Sequence, residues 1–220
     1  MAFLSSCAEK ISSNDVPSEQ VLRNYYASCT NGVTTYIIAE IYTKAGLTIP
    51  PFNEPFGVNI TLDSPSKLSF NGQEMEFHED VFGEVSYRTR VEGWPTEFRW
   101  EWIDKNGKKH SDSAKMNAIS LENNSLVSDG DVYAVRWTGA PIGQGEEIAV
   151  SIEAGDNDYY DTSKQAGAKK IKISGSEYGL DLSLFYRIDI SRTLIQSNVK
   201  EISVENVAGS YIKLVYHHDN

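Results

Sequence analysis

The chain has 220 residues, with 31 acidic against 20 basic side chains and a formal net charge of −11. A surface that negative repels phosphate backbones and anionic lipid, which argues against nucleic acid as a partner and leaves a membrane reachable only through a lipid anchor. Hydrophobic residues make up 40% and mean hydropathy is −0.39, a globular balance. No apolar run approaches the roughly 18 to 20 residues that cross a bilayer as a helix.

The chain opens Met1-Ala2-Phe3-Leu4-Ser5-Ser6-Cys7-Ala8. Leu4-Ser5-Ser6-Cys7 resembles a bacterial lipobox, an apolar residue and two small ones before the cysteine that takes the lipid. Two or three acyl chains on Cys7 would anchor stably where one would not. Ala8 resembles outer-membrane sorting. A secretory signal needs a basic stretch and about 7 to 15 apolar residues, so this reading expects a longer gene start. The alternative leaves Cys7 an ordinary exposed thiol. Glu9 to Gln20 is rich in Ser, Asn, Asp, Glu and Pro, which predicts a disordered tether over the first 20 residues.

Beyond it the periodicity is two almost everywhere. Val21 to Thr30 reads as a strand, with Cys29 a buried small hydrophobe. Tyr36 to Tyr42 is apolar on both faces, which predicts a central strand. Val58, Ile60 and Leu62 alternate with polar residues. Asn71-Gly72 and Asn106-Gly107 predict type I′ hairpins, because Asn-Gly tolerates positive φ at both central positions. Phe98, Trp100 and Trp102 share one face of a strand, the core of a sandwich or, alternatively, a carbohydrate platform. Trp94, before Pro95, is off that strand and is the candidate exposed aromatic for binding. Polar Ser120 to Gly130 predicts a linking loop. Trp137 is expected in the core, and Gly139 to Gly145 in a flexible loop. Ile148, Val150 and Ile152 form another strand, as do Leu180 to Ile190 and Ile212 to Tyr216. Arg192 to Val204 could hold one helical turn. His217 and His218 lie at the C-terminal tip, where disorder is the default.

With no sustained helical repeat, the chain is expected to be all-β: two antiparallel immunoglobulin-like β-sandwich domains in tandem, residues 21–120 and 126–220. The stretch from Tyr36 through Leu62-Asp63-Ser64-Pro65-Ser66 to Phe70-Asn71-Gly72 resembles uncharacterised Gram-negative outer-membrane lipoproteins with immunoglobulin-like sandwiches. That resemblance covers about half the chain and implies a cell-envelope location.

The most acidic stretch is Asp156-Asn157-Asp158-Tyr159-Tyr160-Asp161. Its carboxylates Asp156, Asp158 and Asp161 are a calcium candidate, with a solvated hairpin loop as the alternative. The calcium-loop pattern of an EF-hand fails, because Tyr160, Asp161 and Gly167 occupy its fifth, sixth and twelfth positions. Two cysteines and four scattered histidines do not make a zinc site or a disulfide framework. Neither a nucleophile-elbow nor a zinc-protease motif is present. The sequence therefore predicts no cofactor and no catalytic residue, and a binding or structural module for an unidentified protein or glycan. A hydrolase working through an acidic pair is the alternative.

Overall fold

A computed structural model describes residues 10–43, 58–129, 132–154, 157–174, 186–197 and 209–219. Within them the chain is all-β, as expected, apart from one short 3-10 turn, Ser18–Gln20. In chain order the strands are β1 (Lys10–Ser12), β2 (Val21–Thr30), β3 (Thr34–Thr43), β4 (Val58–Thr61), β5 (Lys67–Phe70), β6 (Gln73–Glu74), β7 (Glu76–Glu79), β8 (Val85–Glu92) and β9 (Phe98–Ile103). They continue as β10 (Lys109–Ala114), β11 (Ser120–Asp129), β12 (Val132–Thr138), β13 (Glu146–Ala154), β14 (Asn157–Ser163), β15 (Lys170–Ser174), β16 (Tyr186–Ser197) and β17 (Gly209–Asp219).

Ten of these strands make one sheet, β1-β4-β3-β2-β17-β16-β13-β14, with β8 on β3 and β7 on β8. Two smaller sheets, β10-β9-β5-β6 and β11-β12-β15, supply the second layer. The first is locked to the large sheet by a Tyr25–Trp100 ring stack at 4.7 Å and by Asp112, which accepts from Arg23 Nε at 2.9 Å and from Tyr25 Oη at 3.1 Å. The second is joined to it by Arg192 of β16, wholly buried, which donates to the carbonyls of Ala140, Pro141 and Asn117 at 2.6, 2.9 and 3.3 Å. Glu146 supplies the opposing charge, its Oε2 3.5 Å from Arg192 Nε. Phe70, Phe98, Trp100 and Trp102 are buried, as is Trp137, so the alternating aromatics are core and not a platform.

Most pairings are antiparallel, but β1 pairs parallel with β4 and β2 pairs parallel with β17. The second of these joins the first and last long strands over nine registered positions, Gly209↔Leu22 to His217↔Thr30, so one sheet runs through both halves of the chain. A parallel neighbour needs a long crossover, and here the crossover is most of the chain.

Several local expectations are corrected. Residues 10–20, expected to be a tether, are bound to the body of the protein where the structure describes them. Ser12 Oγ donates to Asp63 at 2.6 Å, Ser18 Oγ to Asp104 at 2.7 Å, and Val16 is buried. Polar composition reads as tether only until such partners exist. Ser120 to Asp129 is strand β11, with its register shift between Leu121 and Leu126, where the polar run had predicted a loop. Of Arg192 to Val204, where one helical turn was possible, Arg192 to Ser197 continues strand β16 in a sheet with β13 and β17, and residues 198–204 lie outside the described residues. His217 and His218 belong to β17, paired with Ser191 and Ile190. Cys7, Ala8, Asp156 and the stretch Leu180 to Leu184 lie outside the described residues.

Candidate functional site

One turn design is used twice. In Asp104-Lys105-Asn106-Gly107-Lys108 the Asp104 Oδ1 accepts from the backbone N–H of Asn106 and of Lys108, both at 2.9 Å. The Asp104 N–H reaches Lys108 O, and the Gly107 N–H reaches Asp104 O. In Asp80-Val81-Phe82-Gly83-Glu84 every one of these four bonds recurs, from Phe82 and Glu84 to Asp80 Oδ1 and between Asp80, Glu84 and Gly83. Each turn has its glycine at positive φ, 75° at Gly107 and 84° at Gly83, while Asn106 is not at positive φ. The hairpin at Asn106-Gly107 is therefore this aspartate-capped turn and not type I′. Asn71-Gly72 is type I′ as expected, with φ of 45° and 84°. Asn31-Gly32, at 53° and 69°, is a second such turn, between β2 and β3.

The framework demands an Asp and a Gly but asks nothing of the two residues between them. The first turn carries Lys105 and Asn106 there. The second carries Val81 and Phe82, 92% and 72% exposed. Large apolar side chains at so exposed a tip are not required by the fold.

The β7–β8 hairpin that bears this tip also walls a cleft. After β6 the chain leaves the small sheet and enters the large one at Met75, whose N–H donates to Leu68 O at 3.0 Å. Between the layers at this crossing lies a cleft of about 500 Å3, floored by Leu62, Leu68, Met75 and Tyr87. Phe77, half exposed, meets Tyr87 edge-on at 6.0 Å. The Tyr87 hydroxyl accepts from the Leu62 N–H at 2.7 Å, and burial pushes its phenol up, so it stays neutral. Ser66 also lines the cleft, and its buried Oγ has no hydrogen-bond partner among the described residues. A buried hydroxyl left unpaired costs free energy that a bound polar group recovers. Lys67, Glu74 and Glu76 complete the lining.

Two other constellations resemble chemistry. Ser18, Asp104 and His110 make a trio, yet Ser18 Oγ and His110 Nε2 both bond the same oxygen, Asp104 Oδ2, at 2.7 and 3.0 Å. The carboxylate sits in the middle, so the imidazole does not take the serine proton, as a nucleophilic triad needs. Burial opposes ionisation of Asp104, but the donors His110, Ser18, Lys108 and Asn106 outweigh it and hold its carboxyl well below the usual range. The trio fixes the 3-10 turn to the β9–β10 hairpin. Glu74 and Glu101 share a recess of about 210 Å3 with Lys67 and Lys109. Glu101 is bound there by Lys109 and Arg99, both at 2.7 Å. The Lys109 hydrogen bond, with Arg99 adding to it, keeps Glu101 ionised and below the usual range, the reverse of a general acid.

Among the sequence candidates, Trp94 is not an exposed platform. Its indole N–H donates to Met116 O at 2.7 Å, and its ring lies between Phe98 and Tyr216, 4.7 and 5.1 Å away. The acidic stretch is mostly strand β14 and not a loop, and Asp161 accepts from the Tyr159 hydroxyl and the Thr162 N–H. No cluster of three metal-ligating side chains occurs among the described residues. The hairpin tip and cleft were missed. The repeated Asp-x-x-Gly spacing was the signal that could have found the tip.

No protein-family model matches the chain, and no curated protein matches it. Among solved structures, a fragment of a 1.5-MDa bacterial ice-binding adhesin is 12% identical, with 88% of this chain and 63% of that one covered and a TM-score of 0.23. The FN1–FN3 domains of chicken CNTN1 are 8% identical, covering 88% and 64%, with a TM-score of 0.22. A Salmonella alpha-2-macroglobulin is 10% identical over 91% of this chain and 15% of that one, with a TM-score of 0.24. The chain thus spans under two thirds of the length of each of these three structures, and all three likenesses are remote.

Proposed function

We propose that the protein is a non-catalytic binding module whose contact surface is the β7–β8 hairpin, its Val81-Phe82 tip and the cleft behind Phe77. The observation that carries this reading is the repeated turn, which holds Lys105-Asn106 at one site and two exposed apolar residues at the other without a difference in backbone bonding. The partner is a protein or a glycan. The module works in the bacterial cell envelope, anchored by lipid on Cys7, a reading supported by Leu4-Ser5-Ser6-Cys7.

The test replaces the tip by the molecule's own alternative, Val81→Lys with Phe82→Asn. Full-length wild type and this variant are probed against peptide and glycan arrays, with released sugar assayed on the same glycans. Ligands retained by wild type and lost by an unfolding-neutral variant are expected. Ligands bound equally by both, or sugar released by wild type, would overturn the reading and favour the hydrolase. Mass spectrometry of the mature N-terminal peptide from the native host tests the anchor. A lipid-modified Cys7 is expected, and an unmodified one with Met1 attached contradicts it.

A further inference from the structure

Strand β7 has a neighbour on one side only among the described residues, namely β8. All four of its residues, Glu76, Phe77, His78 and Glu79, are exposed. An unpaired edge of this kind presents backbone donors and acceptors to an incoming strand. Resting on the reading above, and narrowing it to one partner class, we infer that β7 takes an extended peptide as an added strand, with basic residues alternating with apolar ones.

The alternation follows from register. Phe77 faces Tyr87 across the hairpin, and both line the cleft. A residue added opposite Phe77 points the same way, so an apolar side chain there enters the cleft, over Leu62 and Met75 and beside the unpaired Ser66 hydroxyl. The next residue lies opposite Glu76, on the other face. Glu76 makes no ion pair among the described residues, whereas Glu79, three residues along the same edge, already holds the Lys10 ammonium at 2.5 Å. Glu79 shares the face of Phe77 and is already neutralised, so Glu76 is the carboxylate that this edge offers to a basic residue on the opposite face. A second copy of this chain is the poorer occupant. Pairing two β7 edges would gather Glu76 and Glu79 of both copies along one seam, and like charges so gathered repel. The net charge of −11 adds to that repulsion.

The experiment uses the full chain and fluorescence anisotropy with labelled hexapeptides. The probe is acetyl-Lys-Val-Lys-Val-Lys-Val-amide, compared with its Glu-for-Lys counterpart. Two further analogues carry backbone N-methyl groups on the lysines only or on the valines only. Only one of these two sets faces β7, so N-methylation of that set weakens binding at least about tenfold while the other set is tolerated. Phe77→Asp and Glu76→Lys each weaken the parent peptide, and the Glu peptide does not bind. Equal binding of both N-methylated peptides, equal binding of the Glu peptide, or no binding at all overturns the added strand. A dimer that excludes the peptide also overturns it and assigns the edge to a second copy. Loss of array ligands on changing the tip would still stand in each of these cases, so the two readings fail separately.

Discussion

Arg192 is the residue on which the second layer depends most. It is wholly buried, faces Glu146, and satisfies three carbonyls from two separate loops. Removing one partner of a buried pair leaves the other charge uncompensated, which costs about 3 to 5 kcal/mol. Arg192→Met is therefore expected to lower the urea midpoint sharply, and a loss below about 1 kcal/mol would contradict the pairing. Asp104 works in the same way between layers and carries a pH dependence. Its carboxyl is held below its ordinary value, so its contribution is present above about pH 4 and is lost as pH falls further, through the depressed folded value. Asp104→Asn should cost about 2 kcal/mol at neutral pH and flatten the stability curve below pH 4; an unchanged acid slope would count against it. Neither role was legible in the sequence. Asp104 and Arg192 sit in polar positions by period, and only tertiary contact tells a clamp from a solvated charge. Trp94 was misjudged for the same reason, since its neighbours Met116 and Tyr216 are distant in sequence.

Elements were more legible than residues. Val21–Thr30 and the face Phe98, Trp100 and Trp102 stand as the alternation predicts, because period two with one buried face fixes a strand almost alone. Turns were legible only in part. Asn71-Gly72 forms its type I′ turn, whereas Asn106-Gly107 does not, because Asp104 two residues earlier captures the backbone donors first. At the overlooked Asn31-Gly32 turn the glycine is under two constraints, a φ of 69° and the Tyr216 hydroxyl 2.9 Å from where a Cβ would stand. At Gly72 φ is 84° with open space around it. Gly72→Ala should therefore cost about 1 kcal/mol from conformation alone, and Gly32→Ala clearly more. Equal losses in thermal or urea unfolding would show that the Tyr216 contact is soft.

At the scale of the whole molecule, the parallel β2–β17 pairing ties the end of the chain to its beginning. Local periodicity carries no information about which distant strands become neighbours, so this join could not be read from the sequence. Deleting residues 209–220 removes buried Ile212, Leu214 and Tyr216 and exposes the edge of β2. Losses of about 2 to 5 kcal/mol per large buried side chain exceed the usual margin of stability. The near-ultraviolet signal of Trp100 and Trp102 should therefore disappear with the deletion, although both lie in the other half. Its retention would show that the halves fold independently. The same frame holds the β7–β8 hairpin and its cleft beside β3 of the large sheet, where the binding reading places the partner. The most direct measurement is a backbone amide chemical-shift map of the full chain, titrated with a ligand retained from the arrays. Shifts are predicted to centre on Leu62 to Leu68, Met75 to Phe77 and Val81 to Tyr87. Shifts centred instead on Gly139 to Gly145, or on the β13–β14 edge with the hairpin silent, would contradict it.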